Sequence, residues 1–196
     1  MNPAPSKAKP SEAKLSQAEL VQALEARHRE VGAYFSSLPE TTFLADHSPK
    51  WNPAQHLIHL TRSSTRITQG LQTRDQLPNH ETPSRGYEAI REAYLATLNQ
   101  AAAELLERVG ASVQVEAGSS QAQIVNAYLQ AGMNLREAMQ TWSESELDAK
   151  AMPHPVLGTI SVREMLEFVV YHDLHHLNGV HTTLSERTHL QHSQVI

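Results

Sequence analysis

The sequence contains no cysteine. This absence excludes a disulfide framework, a thiolate nucleophile and a zinc site built from cysteines. Any metal ion must therefore be bound by histidine, aspartate, glutamate or water. The chain has 196 residues, which fits one domain that can bury a core without covalent cross-links.

Long apolar runs and strongly basic clusters are also missing. No apolar run approaches the roughly 20 residues that a membrane helix needs, and the start MNPAPSKAKPSEAK lacks the apolar segment of a signal peptide. We expect a cytoplasmic protein without a membrane partner, with residues 1–15 as a disordered lead. The formal net charge of −5 argues against a nucleic-acid partner, because phosphate backbones attract basic surfaces.

The residues that are abundant favour helices. Ala, Leu, Gln and Glu are frequent, whereas Val and Ile are modest in number. Apolar residues at three- and four-residue steps predict five helices with one apolar face each. The predicted helices cover about residues 16–38, 52–70, 87–109, 120–142 and 161–186. Such helices must pack on one another, which predicts an all-α helical bundle.

Helix starts and the remaining segments follow from local signals. Capping boxes, in which a small polar residue is followed three residues later by Glu or Gln, begin four of the helices: Ser16 with Glu19, Asn52 with Gln55, Ser120 with Gln123, and Ser161 with Glu164. We expect one domain over residues 16–186 and a polar C-terminal tail over residues 187–196. The segment 143–158 contains two prolines and a glycine and is predicted to be irregular.

Histidine is the most informative residue type, with 12 copies in the chain. The last predicted helix carries the segment YHDLHHLNGVH. His172 and His176 are four residues apart, so their side chains lie on the same helix face. That face coincides with the apolar side of the helix. His175 points away from it and is a weaker candidate for a metal ligand, expected at the rim or surface.

An acidic residue lies among these histidines. Asp173 falls close to the centre of the apolar stripe, where a carboxylate is costly unless it is paired or hydrogen-bonded. It could orient a metal-bound histidine from behind, a common arrangement in metal sites. His28 lies on the apolar face of the first helix and is both a candidate partner for Asp173 and a weaker metal candidate.

A third ligand must come from another helix, and two histidines compete for this role. The segment WNPAQHLIHL offers His56 and His59. The apolar stripe of that helix places His56 on its flank and His59 further round, so periodicity mildly favours His56 and leaves both open. A histidine pair four residues apart is a weak signal alone, and the competing interpretation is two partly solvated helix residues.

Two segments together resemble the DinB-like family of metal-dependent enzymes. WNPAQHLIHL is similar to the family's tryptophan followed eight residues later by a histidine, which is His59. LGTISVREMLEFVVYHDLHHLNGV resembles the family's glycine turn, helix cap and H-[DE]-x-x-H core. That core places the ligands at His172 and His176 and the acidic residue at Asp173. The resemblance covers roughly residues 16–186.

The resemblance implies a DinB-like four-helix bundle, often a homodimer, with the helix at about 87–109 as an addition. It implies a divalent ion such as Zn, Ni or Fe bound by the three histidines. Relatives include thiol-dependent transferases such as mycothiol-dependent maleylpyruvate isomerase, which implies a small-molecule substrate and a low-molecular-weight thiol. Gln55 stands where many members carry Glu, and Gly179 where many carry Gln.

These observations lead to one principal hypothesis and two others. Three neutral imidazoles suit Zn, Ni, Fe or Cu better than Mg or Ca, which prefer oxygen. We expect a divalent-metal-binding protein that catalyses transfer or hydrolysis on a small molecule. The alternatives are a metal-binding protein without catalysis and a helical interaction protein without metal.

Other conspicuous residues have simpler interpretations. Trp51 and Trp142 are expected to be core anchors near helix ends. Arg62 and Arg66 are expected on a solvated face, with the alternative that they line the pocket and contact an anionic substrate. His154 lies between two prolines and is expected to be structural or exposed.

Overall fold

The computed structural model describes residues 13–98, 100 and 113–193, with side chains up to residue 187. Its α-helices are α1 (Gln17–Ser37), α2 (Glu40–Phe43), α3 (Pro53–Gln72), α4 (Tyr87–Leu98), α5 (Gln121–Gln140), α6 (Glu144–Ala149) and α7 (Val162–Ser193). A 3-10 turn covers Arg74–Gln76, and two strands form β1 (Ala151–His154) and β2 (Gly158–Ser161). Among the helices of these residues, none has both the length and the apolar character needed to cross a bilayer.

The long helices begin at the predicted capping boxes. Ser16, Asn52 and Ser120 are the N-caps of α1, α3 and α5, and each accepts a hydrogen bond from the backbone three residues on. Ser161 does the same for α7, with Glu164 N donating to its hydroxyl oxygen at 3.1 Å. These caps satisfy backbone donors that have no partner inside the helix.

Four helices form the bundle, and α4 is added to one side of it. Helices α1 and α3 each pack against both α5 and α7, while the described part of α4 packs mainly against α7. The core between them is built from fully buried apolar side chains, among them Leu24, Phe35, Leu57, Leu60, Tyr128, Leu135 and Leu166. The prediction of an all-α four-helix bundle with an additional helix is confirmed.

The prediction that residues 143–158 are irregular is wrong. Ser143 caps the short helix α6 through a capping box with Glu146. Strands β1 and β2 then form an antiparallel hairpin, which turns at Gly158 with a φ of 72°. Val162 N at the start of α7 donates to Lys150 O at 2.9 Å. The hairpin therefore fixes where the last helix begins.

Two predicted boundaries differ from the observed elements. The described part of α4 ends at Leu98, and residues 99 and 101–109 of the predicted third helix lie outside the described residues, as do residues 1–12 of the predicted lead. Helix α7 continues to Ser193, into the segment predicted as a polar tail. The domain limits at residues 16 and 186 stay predictions.

Candidate metal centre

Three histidines from two helices converge in the bundle. His59 lies on α3, two turns after its N-cap, while His172 and His176 lie one turn apart on α7. One ring nitrogen from each of the three lies within 4.8 Å of the other two. Contact between α3 and α7 therefore brings together residues that are more than a hundred positions apart in the chain.

The distances between the ring nitrogens fit a metal ion. His59 Nε2 lies 3.2 Å from His172 Nε2, and His176 Nε2 lies 3.0 Å from the same atom. Nitrogen ligands about 2.0–2.1 Å from a tetrahedral zinc lie roughly 3.3–3.4 Å apart. A neutral ring nitrogen has one hydrogen or one lone pair, so His172 Nε2 can satisfy only one of its two neighbours by hydrogen bonding. A cation that accepts three lone pairs would satisfy all three.

Burial keeps these rings in the neutral form that metal binding requires. His172 and His176 are buried, whereas His59 is half-buried. Burial and the neighbouring imidazoles lower the pKa of His172 and of His176 well below the usual 6.5. Burial, assisted by the positive charge of Arg66, lowers the pKa of His59 to about 4. Near neutral pH each ring therefore has a free lone pair.

Aromatic side chains enclose the three histidines. The Trp51 ring stacks on His176, with centroids 6.0 Å apart and planes at 8°. Phe168 stacks on His172, with ring centroids 4.7 Å apart. The ring centroid of the half-buried Trp51 also lies 5.3 Å from that of His59. The expectation that Trp51 is only a core anchor therefore missed its place beside the site.

His56 lies next to the three histidines in a different position. Its Nδ1 is 2.8 Å from Nδ1 of His176, which is the nitrogen on the other side of the ring from the one that faces His172. The three mutually close nitrogens belong to His59, His172 and His176. Geometry thus groups His59 with the α7 pair, although helix periodicity mildly favoured His56.

The other predicted site residues lie around this group. His175 is half-buried, and its ring is 5.4 Å from that of His176 and 5.8 Å from that of Tyr94. His154 is buried, and its Nδ1 accepts hydrogen bonds from Val156 N and Leu157 N within the hairpin turn. This structural role agrees with one of the two expectations for it.

Asp173 is buried, as predicted, but its described contacts lead away from the three histidines. Tyr128 donates a hydrogen bond to Asp173 Oδ2 at 2.5 Å. His28 Nε2 lies 3.4 Å from the same oxygen, near enough for a close contact but without a hydrogen bond between them. Arg136 donates to His28 Nδ1 at 3.2 Å. These contacts place Asp173 between helices of the bundle. The role predicted for it, orienting a metal-bound histidine, stays a prediction.

Sequence reasoning missed two neighbours of the site. Phe168 precedes His172 by one helical turn, so the turn spacing could have placed it against that ring. The ring centroid of Tyr94 on α4 lies 6.2 Å from that of His172 and 5.0 Å from that of Phe168. No pattern in the sequence indicates this contact between helices.

Comparison with known proteins identifies the family to which the chain belongs. None of the curated proteins compared with the chain matches it. Residues 23–179 match the family model of the DinB superfamily. The match includes the first segment that carries the resemblance, all but the last residue of the second, and all three converging histidines. Since it covers most of the chain, this protein belongs to the DinB superfamily.

Proposed function

We propose that the protein binds one divalent ion, Zn, Ni or Fe, through His59, His172 and His176, and uses it for transfer or hydrolysis on a small molecule. The observation that supports this most strongly is the convergence of three largely buried ring nitrogens within 4.8 Å. Buried polar atoms are normally satisfied, and hydrogen bonds cannot satisfy all three of these at once. The imidazole set favours these ions over Mg or Ca.

A bound divalent ion would supply Lewis acidity and lower the pKa of a water or thiol in the position that three protein ligands leave open. The protein's own residues hold and orient the three rings. Trp51 and Phe168 cover two of the rings and exclude water from them. A low-molecular-weight thiol is the co-substrate that we infer from the family's thiol-dependent transferases.

Substrate would approach from the side of α3. His172 and His176 are only 5% and 8% exposed, whereas His59, His56 and Trp51 are half-buried. A cavity of about 290 Å³ lies beside Trp51 and is also lined by Gln55. Its lining includes Trp51, which stacks on His176, and none of the three histidines.

Arg66 indicates the charge of that substrate. Its side chain is exposed, yet it is close enough to His59 to lower the pKa of that imidazole. A fixed positive charge beside the open side of the site would attract an anionic small molecule. We therefore infer an anionic or carboxylate-bearing substrate, in line with the alternative expectation for Arg66. Cytoplasmic location and a homodimer remain expectations.

The test is metal-dependent turnover. Protein loaded with Zn, Ni or Fe would be assayed with small anionic electrophiles with and without thiols, and with carboxylic esters or amides for hydrolysis. His176→Ala is expected to abolish turnover. Arg66→Gln is expected to raise KM for anionic substrates with little change for neutral ones, and Arg29→Gln, at an exposed arginine of α1, is the matched control. A protein that binds metal tightly but turns over none of these substrates would contradict the catalytic proposal and favour metal binding without catalysis.

A further inference from the structure

Both nitrogens of the His176 ring have a histidine neighbour. Its Nε2 lies 3.0 Å from His172 Nε2, and its Nδ1 lies 2.8 Å from His56 Nδ1. The first contact belongs to the metal centre proposed above. The second is a further contact between α7 and α3. His56 lies one helical turn before His59, on the same face of α3.

The chemistry of a neutral imidazole assigns roles to these two nitrogens. If His176 Nε2 gives its lone pair to a metal, the ring hydrogen must be on Nδ1. His176 Nδ1 is then a donor, and the atom 2.8 Å away must be an acceptor. His56 Nδ1 therefore carries the lone pair, and the hydrogen of His56 is on its own Nε2.

We propose that His56 is a positioning residue, which holds His176 in the metal-binding tautomer and fixes the direction of its Nε2 lone pair. This inference rests on the proposed metal binding. Metal-bound histidines usually donate their second N–H to a carboxylate, a backbone carbonyl or a water. Here a neutral imidazole takes that role, and one helix supplies both the ligand His59 and the positioning group.

The surroundings of His56 fix the orientation of its ring. Trp51 contacts it edge-on, with centroids 5.4 Å apart, and at the same time stacks on His176. On the α7 side the ring lies close to Gly179, where a Cβ would be in ordinary van der Waals contact with it, 3.7 Å from His56 Cε1. The His56 ring thus packs between Trp51, which also contacts His176, and α7 at Gly179. A held acceptor can orient its donor, whereas a freely rotating one cannot.

Zinc affinity tests the proposal. Zinc would be titrated in competition with a chromophoric chelator into four proteins: wild type, His56→Ala, His56→Asn and His175→Ala. Loss of an orienting partner typically weakens metal binding by about 10–100-fold, so we expect this for His56→Ala with stoichiometry still near one zinc per chain. His56→Asn places an amide oxygen near the former Nδ1 and should restore most of the affinity. His175→Ala removes an adjacent imidazole that lies 5.4 Å from the His176 ring and should bind zinc like wild type.

A second measurement reports the tautomers, and its first part, on wild type, does not depend on any variant folding. Nitrogen-15 NMR of zinc-loaded wild type should show His176 with its proton on Nδ1 and His56 with its proton on Nε2. The His176 Nδ1–H resonance should move upfield in His56→Ala, because the hydrogen bond is lost. The Nδ1 proton of His176 follows from metal binding alone, so the diagnostic results are the Nε2 proton of His56 and the upfield shift in His56→Ala, neither of which a merely structural role for His56 predicts.

The outcomes separate this inference from the proposed function. Unchanged zinc affinity in His56→Ala, or a proton on Nδ1 of His56 in wild type, would overturn the positioning role and leave metal binding intact. Loss of the zinc itself in folded His56→Ala would also overturn it, since His56 would then be a ligand. Failure of wild type to bind zinc, nickel or iron would overturn both proposals.

Discussion

Tyr128 on α5 donates its hydroxyl hydrogen to the Asp173 carboxylate on α7 at 2.5 Å, and both side chains are buried. His28 of α1 approaches the same carboxylate oxygen at 3.4 Å. One carboxylate next in sequence to His172 thus joins three helices of the bundle. Burial raises the pKa of Asp173 to about 7, although the hydrogen bond from Tyr128 opposes that rise.

Tyr128→Phe tests how much this hydrogen bond stabilises the bundle. The substitution removes the donor and leaves a buried carboxylate with a worse partner, so we expect a loss of roughly 1–3 kcal/mol in the free energy of unfolding. Chemical denaturation at pH 8, where Asp173 is mostly ionised, would measure it. Tyr34→Phe, at a half-buried tyrosine of α1, should cost clearly less. An equal or smaller loss for Tyr128→Phe would show that the contact contributes little.

Two helical glycines form a matched pair for a packing test. A Cβ added at Gly132 would lie 2.6 Å from His28 Nδ1, whereas one at Gly179 would meet its nearest atom, His56 Cε1, at 3.7 Å. Gly132→Ala must displace the His28 ring, and we expect a net loss of about 1–2 kcal/mol. Gly179→Ala should be neutral or stabilising by up to about 1 kcal/mol, because alanine favours helices. Thermal unfolding of both variants would reveal the order, and equal melting temperatures would contradict this packing.

The free energy of unfolding is expected to depend on pH because of Glu167. This side chain is fully buried; its Oε1 accepts from Leu15 N at 2.9 Å, and its Oε2 has no partner among the described residues. Burial raises the pKa of Glu167 from 4.5 to about 7. The folded protein therefore holds this proton more tightly than the unfolded chain, and its ionisation costs stability as the pH rises from about 4.5 to about 7.

Glu167→Gln removes that ionisation and keeps an acceptor for Leu15 N. We expect the variant to match wild type near pH 4.5 and to exceed it by roughly 1–3 kcal/mol at pH 8. Urea denaturation at the two pH values measures the difference, with the exposed Glu92→Gln as the control that should show no such change. A variant that is equally stable to wild type at pH 8 would mean that Glu167 ionises at little cost.

The sequence predicted the helices well because their signals are local. The capping boxes at Ser16, Asn52 and Ser120 each bring a side chain to the backbone three residues on, and neither partner depends on the rest of the fold. The same signal at Ser143 and Glu146 was passed over because prolines follow it closely. The hairpin was missed because its strands have four residues each, too few for a clear alternation.

The candidate site was only partly predictable for a physical reason. His172 and His176 share one helix, so their spacing alone places them together. The choice between His56 and His59 depends on the contact between α3 and α7, which periodicity within one helix cannot measure. Trp51 precedes α3 and belongs to no helical stripe, so its stacking on His176 had no counterpart in the sequence pattern.

The most direct test of the central claim is the metal content of tag-free protein, measured by inductively coupled plasma mass spectrometry after incubation with Zn, Ni or Fe and extensive dialysis. Wild type would be compared with His59→Ala, His176→Ala and, as the matched control, His175→Ala. We predict about one ion per chain in wild type and in His175→Ala, with near-complete loss in the other two. Absence of bound metal in wild type, or full retention in folded His59→Ala, would contradict a centre formed by His59, His172 and His176.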